Sequence, residues 1–233
     1  MLYRVLIKQK TEVIGKVTAN TLFGAFLTAY SSLYDIDNDM INDITLSDLF
    51  AENVLPTGVQ NNCTTYSKNL HENEIGINRT LIARDNSDNN VITNVFGHRY
   101  DMNEFYISSE LLDIKELEKV IILMLEFGIG KWRNVGKGQY EFISIDEYIP
   151  KTDKVNFVAL SNFIPDETLN ESEITSIGYT IRDAVATNGL KQTTTAMLLT
   201  GTSFKTMKQL VGKHVYDKIS NTYIHGKAIV IGV

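Results

Sequence analysis

Residues 128–138, GIGKWRNVGKG, set Gly128, Gly130, Gly136 and Gly138 around Lys131, Trp132, Arg133 and Lys137. Glycines let a backbone approach a ligand closely, and cations meet phosphates. An indole can stack on a base for about 1–3 kcal/mol. A phosphate-binding P-loop needs four residues between its glycines and a Ser or Thr after the lysine. Here five separate Gly130 from Gly136, and Gly138 follows Lys137, so that motif fails. The dinucleotide fingerprint fails too, because Arg133 stands where its third glycine belongs and the loop follows a helix instead of opening one. Two readings stay open: a cradle for single-stranded RNA, or a surface turn whose Trp132 folds back on the core.

Catalysis finds little support. The four histidines are His71, His98, His214 and His225, and none lies in a pattern with a second acid or base. His98, in FGHRY beside Arg99 and Tyr100, is the most suggestive, either as an RNA contact or as a hairpin residue; a metal-independent ribonuclease would need such a group titrating near neutrality. His225, before Gly226, reads as a packing residue. A lone Cys63 forms no internal disulfide, and the histidine spacing resembles no zinc site. DIDNDMIND lacks the glycine and terminal Glu of an EF-hand. We expect no catalytic residue, no metal and no cofactor.

The elements that must position the loop are partly legible. YRVLIKQ alternates like a strand, and Leu22, Phe26, Tyr30 and Leu33 follow at helical spacing, with Asn20 or Thr21 as N-cap. The stretch from about 35 to 106 carries few periodic signals and reads as an insertion. Within and just past it, GINRTLIARDNSDNNVITNVFGHRYDMNEFYIS reads as a hairpin with its tip at 85–90. DIKELEKVIILMLEFG is the strongest helix: Asp113 and Glu116 form a capping box, Leu117, Ile121 and Met124 make a stripe, and Gly128 sits at the C-terminal end. QYEFISI then reads as a strand. Strand, helix, insertion, helix, loop, strand is the order of a decorated ferredoxin-like unit. Beyond Pro150 the segments are β-prone, with one helical candidate at TMKQLVGKHVY. The expectation is an α+β fold with domains at 1–149 and 150–233.

Bulk properties narrow the setting. The chain has 233 residues, is 43% hydrophobic and carries a net charge of −6, which argues against a protein coated in nucleic acid but not against a local groove. No apolar run reaches the ~18 residues of a membrane span, and we expect a cytoplasmic protein without membrane contact. Residues 31–55 hold six acidic groups and no Lys or Arg, whereas 186–218 hold five lysines against Asp217. The segregation suggests opposed acidic and basic faces, or solvated loops.

Four stretches together resemble the RAMP superfamily of CRISPR-associated proteins: TANTLFGAF, LSDLFAENVLPTG, GIGKWRNVGKGQYEF as the G-rich loop, and LTGTSF with YIHGKAIVIGV. The chain is most similar to the subunit that grips the five-prime handle of the guide RNA in type III complexes, the fourth Csm subunit and its relatives, including a handle-capping subunit of the derived type VII systems. The resemblance implies two ferredoxin-like (RRM-like) domains and a hairpin thumb within the 35–106 insertion, near residues 78–98. It implies a noncatalytic RNA-binding subunit that anchors the handle and caps the backbone filament. The alternative is a metal-independent endoribonuclease that processes precursor guide RNA. Implied partners are guide RNA (crRNA), a backbone RAMP subunit, a large effector or nuclease subunit, and target RNA through the guide. By motif position, Asn20 and Thr21 would meet phosphate at a helix N-terminus. Gly128, Gly130, Lys131, Arg133, Gly136, Lys137 and Gly138 carry over from the G-rich loop, with Trp132 added on its chemistry. Arg79, His98 and Arg99 are the candidate contacts on the thumb.

Overall fold

The computed structural model describes residues 1–14, 16–68, 77–84, 90–98, 101–130, 133, 136–151, 153–167, 169–184 and 189–233, with backbone alone for Ile14, 77–84 and 90–98. The first half opens with strands β1 (Leu2–Gln9) and β2 (Val13–Ile14) and helix α1 (Ala19–Ser31). Helix α2 (Asn38–Asp43) and the short strands β3 (Thr45–Leu46) and β4 (Phe50–Ala51) follow. Two hairpins come next, β5 (Pro56–Gln60) with β6 (Cys63–Tyr66) and β7 (Ile77–Arg84) with β8 (Asn90–His98). Strand β9 (Met102–Ser108), helix α3 (Ile114–Glu126) and strand β10 (Tyr140–Glu147) complete it.

The main sheet runs β10-β1-β9-β3, all neighbours antiparallel. That is the fourth, first, third and second strand of a strand-helix-strand-strand-helix-strand unit, which is ferredoxin-like topology. Strands β3 and β9 belong to this sheet, so the insertion is confined to the chain between them and does not span 35–106 as one element. Alternation along β1 turns Tyr3, Val5 and Ile7 toward the helices. There they meet Leu22 and Phe26 of α1 and Leu117, Ile121 and Met124 of α3, all essentially buried. Each such side chain contributes roughly 1.5–3 kcal/mol on burial.

The ends of α3 follow the sequence. Asp113 accepts from the Lys115 and Glu116 amides at 2.8 and 2.9 Å, and the Glu116 carboxylate accepts from the Asp113 amide. The start of α1 does not. Its N-cap is Thr18, which makes no side-chain cap bond, and Asn20 and Thr21 lie inside the first turn. A distant carboxylate, Asp48, takes the Ala19 amide instead, at 2.8 Å. Leu33, expected on the buried stripe, lies beyond the helix and is 45% exposed.

The second half is built from antiparallel strands: β11 (Phe157–Ala159), β12 (Ile174–Ser176), β13 (Tyr179–Arg182), β14 (Thr195–Leu198), β15 (Ser203–Phe204), β16 (Leu210–Gly212), β17 (Val215–Asp217), β18 (Thr222–Ile224) and β19 (Lys227–Gly232). Its main sheet runs β12-β15-β11-β19-β16. The helix expected at TMKQLVGKHVY is absent: β16 pairs with β19 and β17 with β18. Gly212, the last residue of β16, has φ +81°, and a Cβ there would meet the Gly226 and Ile164 carbonyls at 2.4 and 2.7 Å, which no helix interior permits.

The halves join through a shared apolar layer of Leu2, Phe50 and Tyr106 against Val158, Leu160, Ile229 and Ile231. The β5–β6 hairpin also crosses over, since Val59 N donates to Ser176 Oγ, Thr64 Oγ1 to the Thr200 carbonyl, and Tyr179 N to Asn62 Oδ1. No described helix is long and apolar enough to cross a membrane.

Several members of the two charge runs have partners. Lys191 pairs with Asp183, Lys208 with Glu173 and Lys213 with Glu167, while Lys205 donates to the Ser172 carbonyl. On the acidic side, Asp37 caps α2, Asp43 accepts from Ser109 Oγ and the Glu110 and Leu111 amides, and Glu52 faces Arg4. Both runs are thus partly engaged, in several cases by residues distant in sequence.

Candidate nucleic-acid interface

The glycine loop leaves α3 through a left-handed residue: Gly128 has φ +75° and donates to the Leu125 carbonyl at 3.0 Å. Its base is then closed by a backbone bond from Ile129 N to Gly138 O, 2.8 Å. Gly130, Gly136 and Gly138 also have positive φ. Sterics add most to conformation at Gly138, where a Cβ would lie 1.9 Å from the Ile129 carbonyl oxygen; at Gly128 the nearest atom, 2.7 Å away, is the end of the Gln139 side chain. Arg133 is exposed, with Nη1 at 3.5 Å from the Gly128 carbonyl. Lys131 and Trp132 lie outside the described residues.

A short strap, residues 10–18, runs past this base. Its amides at Lys10 and Thr11 donate to the Gln139 carbonyl, and Thr11 Oγ1 accepts from Gln139 N. Glu12 accepts from Gly138 N through its carbonyl and from Lys137 Nζ through its carboxylate, at 3.1 and 2.7 Å. The next residues form β2, in which Val13 pairs with His98 and Ile14 with Gly97 at the base of the β7–β8 hairpin. The strap therefore touches the loop on one side and the hairpin on the other. Arg79 lies in β7 opposite Val95. The side chains of Arg79 and His98, all of Arg99, and the hairpin tip at 85–89 lie outside the described residues.

Farther along, Lys16 reaches Asp48 at 2.8 Å. Burial works against the Lys16 charge, but the Asp48 carboxylate and the Tyr66 phenol together outweigh it and raise the pKa above the usual lysine range. Asp48, 1% exposed, also accepts from Ala19 N and from Thr200 Oγ1. A cleft of about 160 Å³ opens beside it, lined by Thr18, Asn20, Asn162, Thr180 and Arg182 among others. Asn20 turns toward the second half: its Nδ2 donates to the His225 carbonyl and its Oδ1 accepts from His225 N, at 3.2 and 3.0 Å. Thr21 Oγ1 lies 3.4 Å from Thr18 Oγ1.

The charges of this strip are largely matched. Lys10, Lys16 and Lys137 face Glu141, Asp48 and Glu12. Among the described loop cations Arg133 is the one presented to solvent. The structure thus brings the loop, the strap and the hairpin base together, and sets Asn20 at the cleft where the halves meet, while Thr21, one residue on, is not among the cleft's lining. Thr11, Glu12 and Asp48 were not among the sequence candidates, and their partners lie too far along the chain for any local pattern to mark them. Among the described residues, no group of three His, Cys, Asp or Glu could hold a metal ion.

No protein-family model matches the chain, and no curated protein matches its sequence. Its fold is similar to that of solved structures along its full length. A chain of the Csm3–Csm4 subcomplex in the type III-A CRISPR-Cas interference complex superposes with a TM-score of 0.68 at 16% identity, covering 100% of this chain and 99% of that one. A chain of the Csm1–Csm4 cassette in complex with cA4 gives 0.56 at 13% identity, covering 100% and 98%. A RAMP protein binding different RNA substrates gives 0.50 at 10%, covering 100% and 99%. Such identities speak to the fold alone, and the chain shares the mixed α/β fold of these structures.

Proposed function

We propose that the protein is a noncatalytic RNA-binding subunit of a multi-subunit CRISPR effector complex, which anchors the five-prime handle of the guide RNA and caps the filament of backbone subunits. The observation that carries this reading is the adjacency of the glycine loop and the hairpin base on one strap, within a RAMP fold. The loop glycines, with Lys131, Trp132 and Arg133, form the phosphate and base contacts. Arg79, His98 and Arg99 act from the hairpin, and Asn20 at the cleft between halves and Thr21 in the same helical turn act from α1. Recognition by shape, phosphates and splayed bases is the usual mode for single-stranded RNA. Partners on this reading are a backbone RAMP subunit, a large effector or nuclease subunit, and target RNA through the guide.

Coexpression with neighbouring genes and a repeat array, then sequencing of the bound RNA, tests it. A defined terminus shared by the recovered molecules is expected; protein that copurifies with no RNA sinks the reading. In the purified complex, a Lys131 and Arg133 double alanine substitution should weaken guide binding and flatten its salt dependence.

The endoribonuclease alternative draws no support from His214 and His225, which burial holds neutral inside the fold. Specific cleavage of repeat RNA in EDTA, lost in His98→Ala, would revive it.

A further inference from the structure

We propose that Glu12 and Lys137 are a positioning pair that holds the glycine loop in register with the β7–β8 hairpin, and that Lys137 acts through Glu12 instead of contacting RNA. Lys137 Nζ lies 2.7 Å from Glu12 Oε2, and the two side chains are only 16% and 11% exposed. For Lys137 to meet a phosphate it would have to give up its 2.7 Å contact with Glu12 and leave a nearly closed site. Abandoning one member of a buried pair is strongly unfavourable. Arg133, which is exposed, faces no such penalty.

The geometry also says what the pair positions. Glu12 carries two attachments to the loop, its carbonyl to Gly138 N and its carboxylate to Lys137. One residue later the same backbone enters the ladder with β8, Val13 opposite His98. Two elements separated by some thirty residues in the chain are therefore held at a set spacing by three consecutive strap residues. A rigid spacing between separate contacts lowers the ordering cost of binding.

This inference rests on the RNA-binding reading for one assay and is independent of it in another. Trp132 is the single tryptophan and lies in the loop, so its quenching by acrylamide reports loop order without RNA. Lys137→Met should raise quenching, and the exchanged pair Glu12→Lys with Lys137→Glu should return it toward the native value. Unchanged quenching in Lys137→Met overturns the proposal, provided thermal unfolding shows both variants folded.

The second assay measures binding of a synthetic single-stranded repeat RNA across a salt series. Lys137→Met should weaken binding about tenfold while leaving the slope of log K against log salt unchanged, and the exchange should restore affinity to within about threefold. Loss of a true phosphate contact lowers the slope by about 0.7 for a single strand, which is the result expected for Arg133→Ala. The same drop in Lys137→Met, or an exchange that folds and fails to restore affinity, overturns the proposal. If the native protein binds no RNA, the functional reading fails and the quenching result alone decides the positioning role.

Discussion

Asn20 and His225, 205 residues apart in the chain, exchange two hydrogen bonds between the Asn20 carboxamide and the His225 backbone. The contact ties the first turn of α1 to the link between β18 and β19. His225 is fully buried, so its N–H and C=O have no water to turn to when the carboxamide is removed.

Asn20→Ala should therefore lower unfolding free energy by roughly 2–4 kcal/mol, the sum of two orphaned buried groups. Asn20→Asp should cost at least as much, because a carboxylate cannot donate to the His225 carbonyl. Urea midpoints at constant m-value measure both, and a shift below ~0.5 kcal/mol would show the contact to be dispensable.

The histidines at this seam make a second prediction. Gly226 N donates to His214 Nδ1 at 3.2 Å and His214 Nε2 donates to the Ile44 carbonyl at 2.9 Å. Leu46 N donates to His225 Nε2 at 3.1 Å. Both rings must be neutral to accept these bonds. Burial, helped by the Lys227 charge, pushes the His214 pKa down to about 4; burial and then His214 itself push His225 well below 6.5. The unfolded chain takes up these protons first, so stability is full above about pH 6.5 and falls as pH drops toward 4. For His214 the loss reaches about 3 kcal/mol. Denaturation across that window should show the decline, and His214→Leu, though less stable at pH 7, should show a shallower one.

How much of this was readable in the sequence depends on the span of each interaction. The Asp113–Glu116 box, the Gly128 helix exit and the two arms of the β7–β8 hairpin are made by residues close in sequence, and each left a local pattern. Lys137–Glu12, Ala19–Asp48 and Asn20–His225 span 125, 29 and 205 positions, and nothing local announces them. The lysines after 186 looked like a basic face because their carboxylates, Glu167 and Glu173, lie upstream of the run. TMKQLVGKHVY looked helical on spacing, and Gly212 was the one sign against it. Where a backbone conformation must be special, glycine shows it; where a charge is matched from across the fold, composition misleads.

Asp48 illustrates the second case and makes a third prediction. One buried carboxylate caps α1, holds Lys16 and receives Thr200 Oγ1. Asp48→Ala should cost about 2–4 kcal/mol, chiefly through the stranded Ala19 amide and Thr200 hydroxyl, since Lys16 is half exposed and can turn to water. Asp48→Asn keeps one acceptor oxygen and should cost less than half as much. Equal losses for both, measured by equilibrium unfolding, would place the effect in charge and not in hydrogen bonding.

The glycines of the loop separate conformation from contact. Gly136 has φ +77° with nothing within 4 Å of an added Cβ, whereas Gly138 has φ +65° with the Ile129 carbonyl oxygen 1.9 Å from one. Gly136→Ala should thus cost only the left-handed strain, roughly 1–2 kcal/mol, and leave the loop base closed. Gly138→Ala must break the Ile129–Gly138 backbone bond and release the Gly138 amide from the Glu12 carbonyl of the strap as well. Amide exchange distinguishes them: the Gly138 position should lose protection in Gly138→Ala and keep it in Gly136→Ala. On the proposed function, handle RNA binding should fall at least tenfold in the first variant and less than threefold in the second, and the reverse order would mean that the tip, with no help from its closed base, sets the affinity.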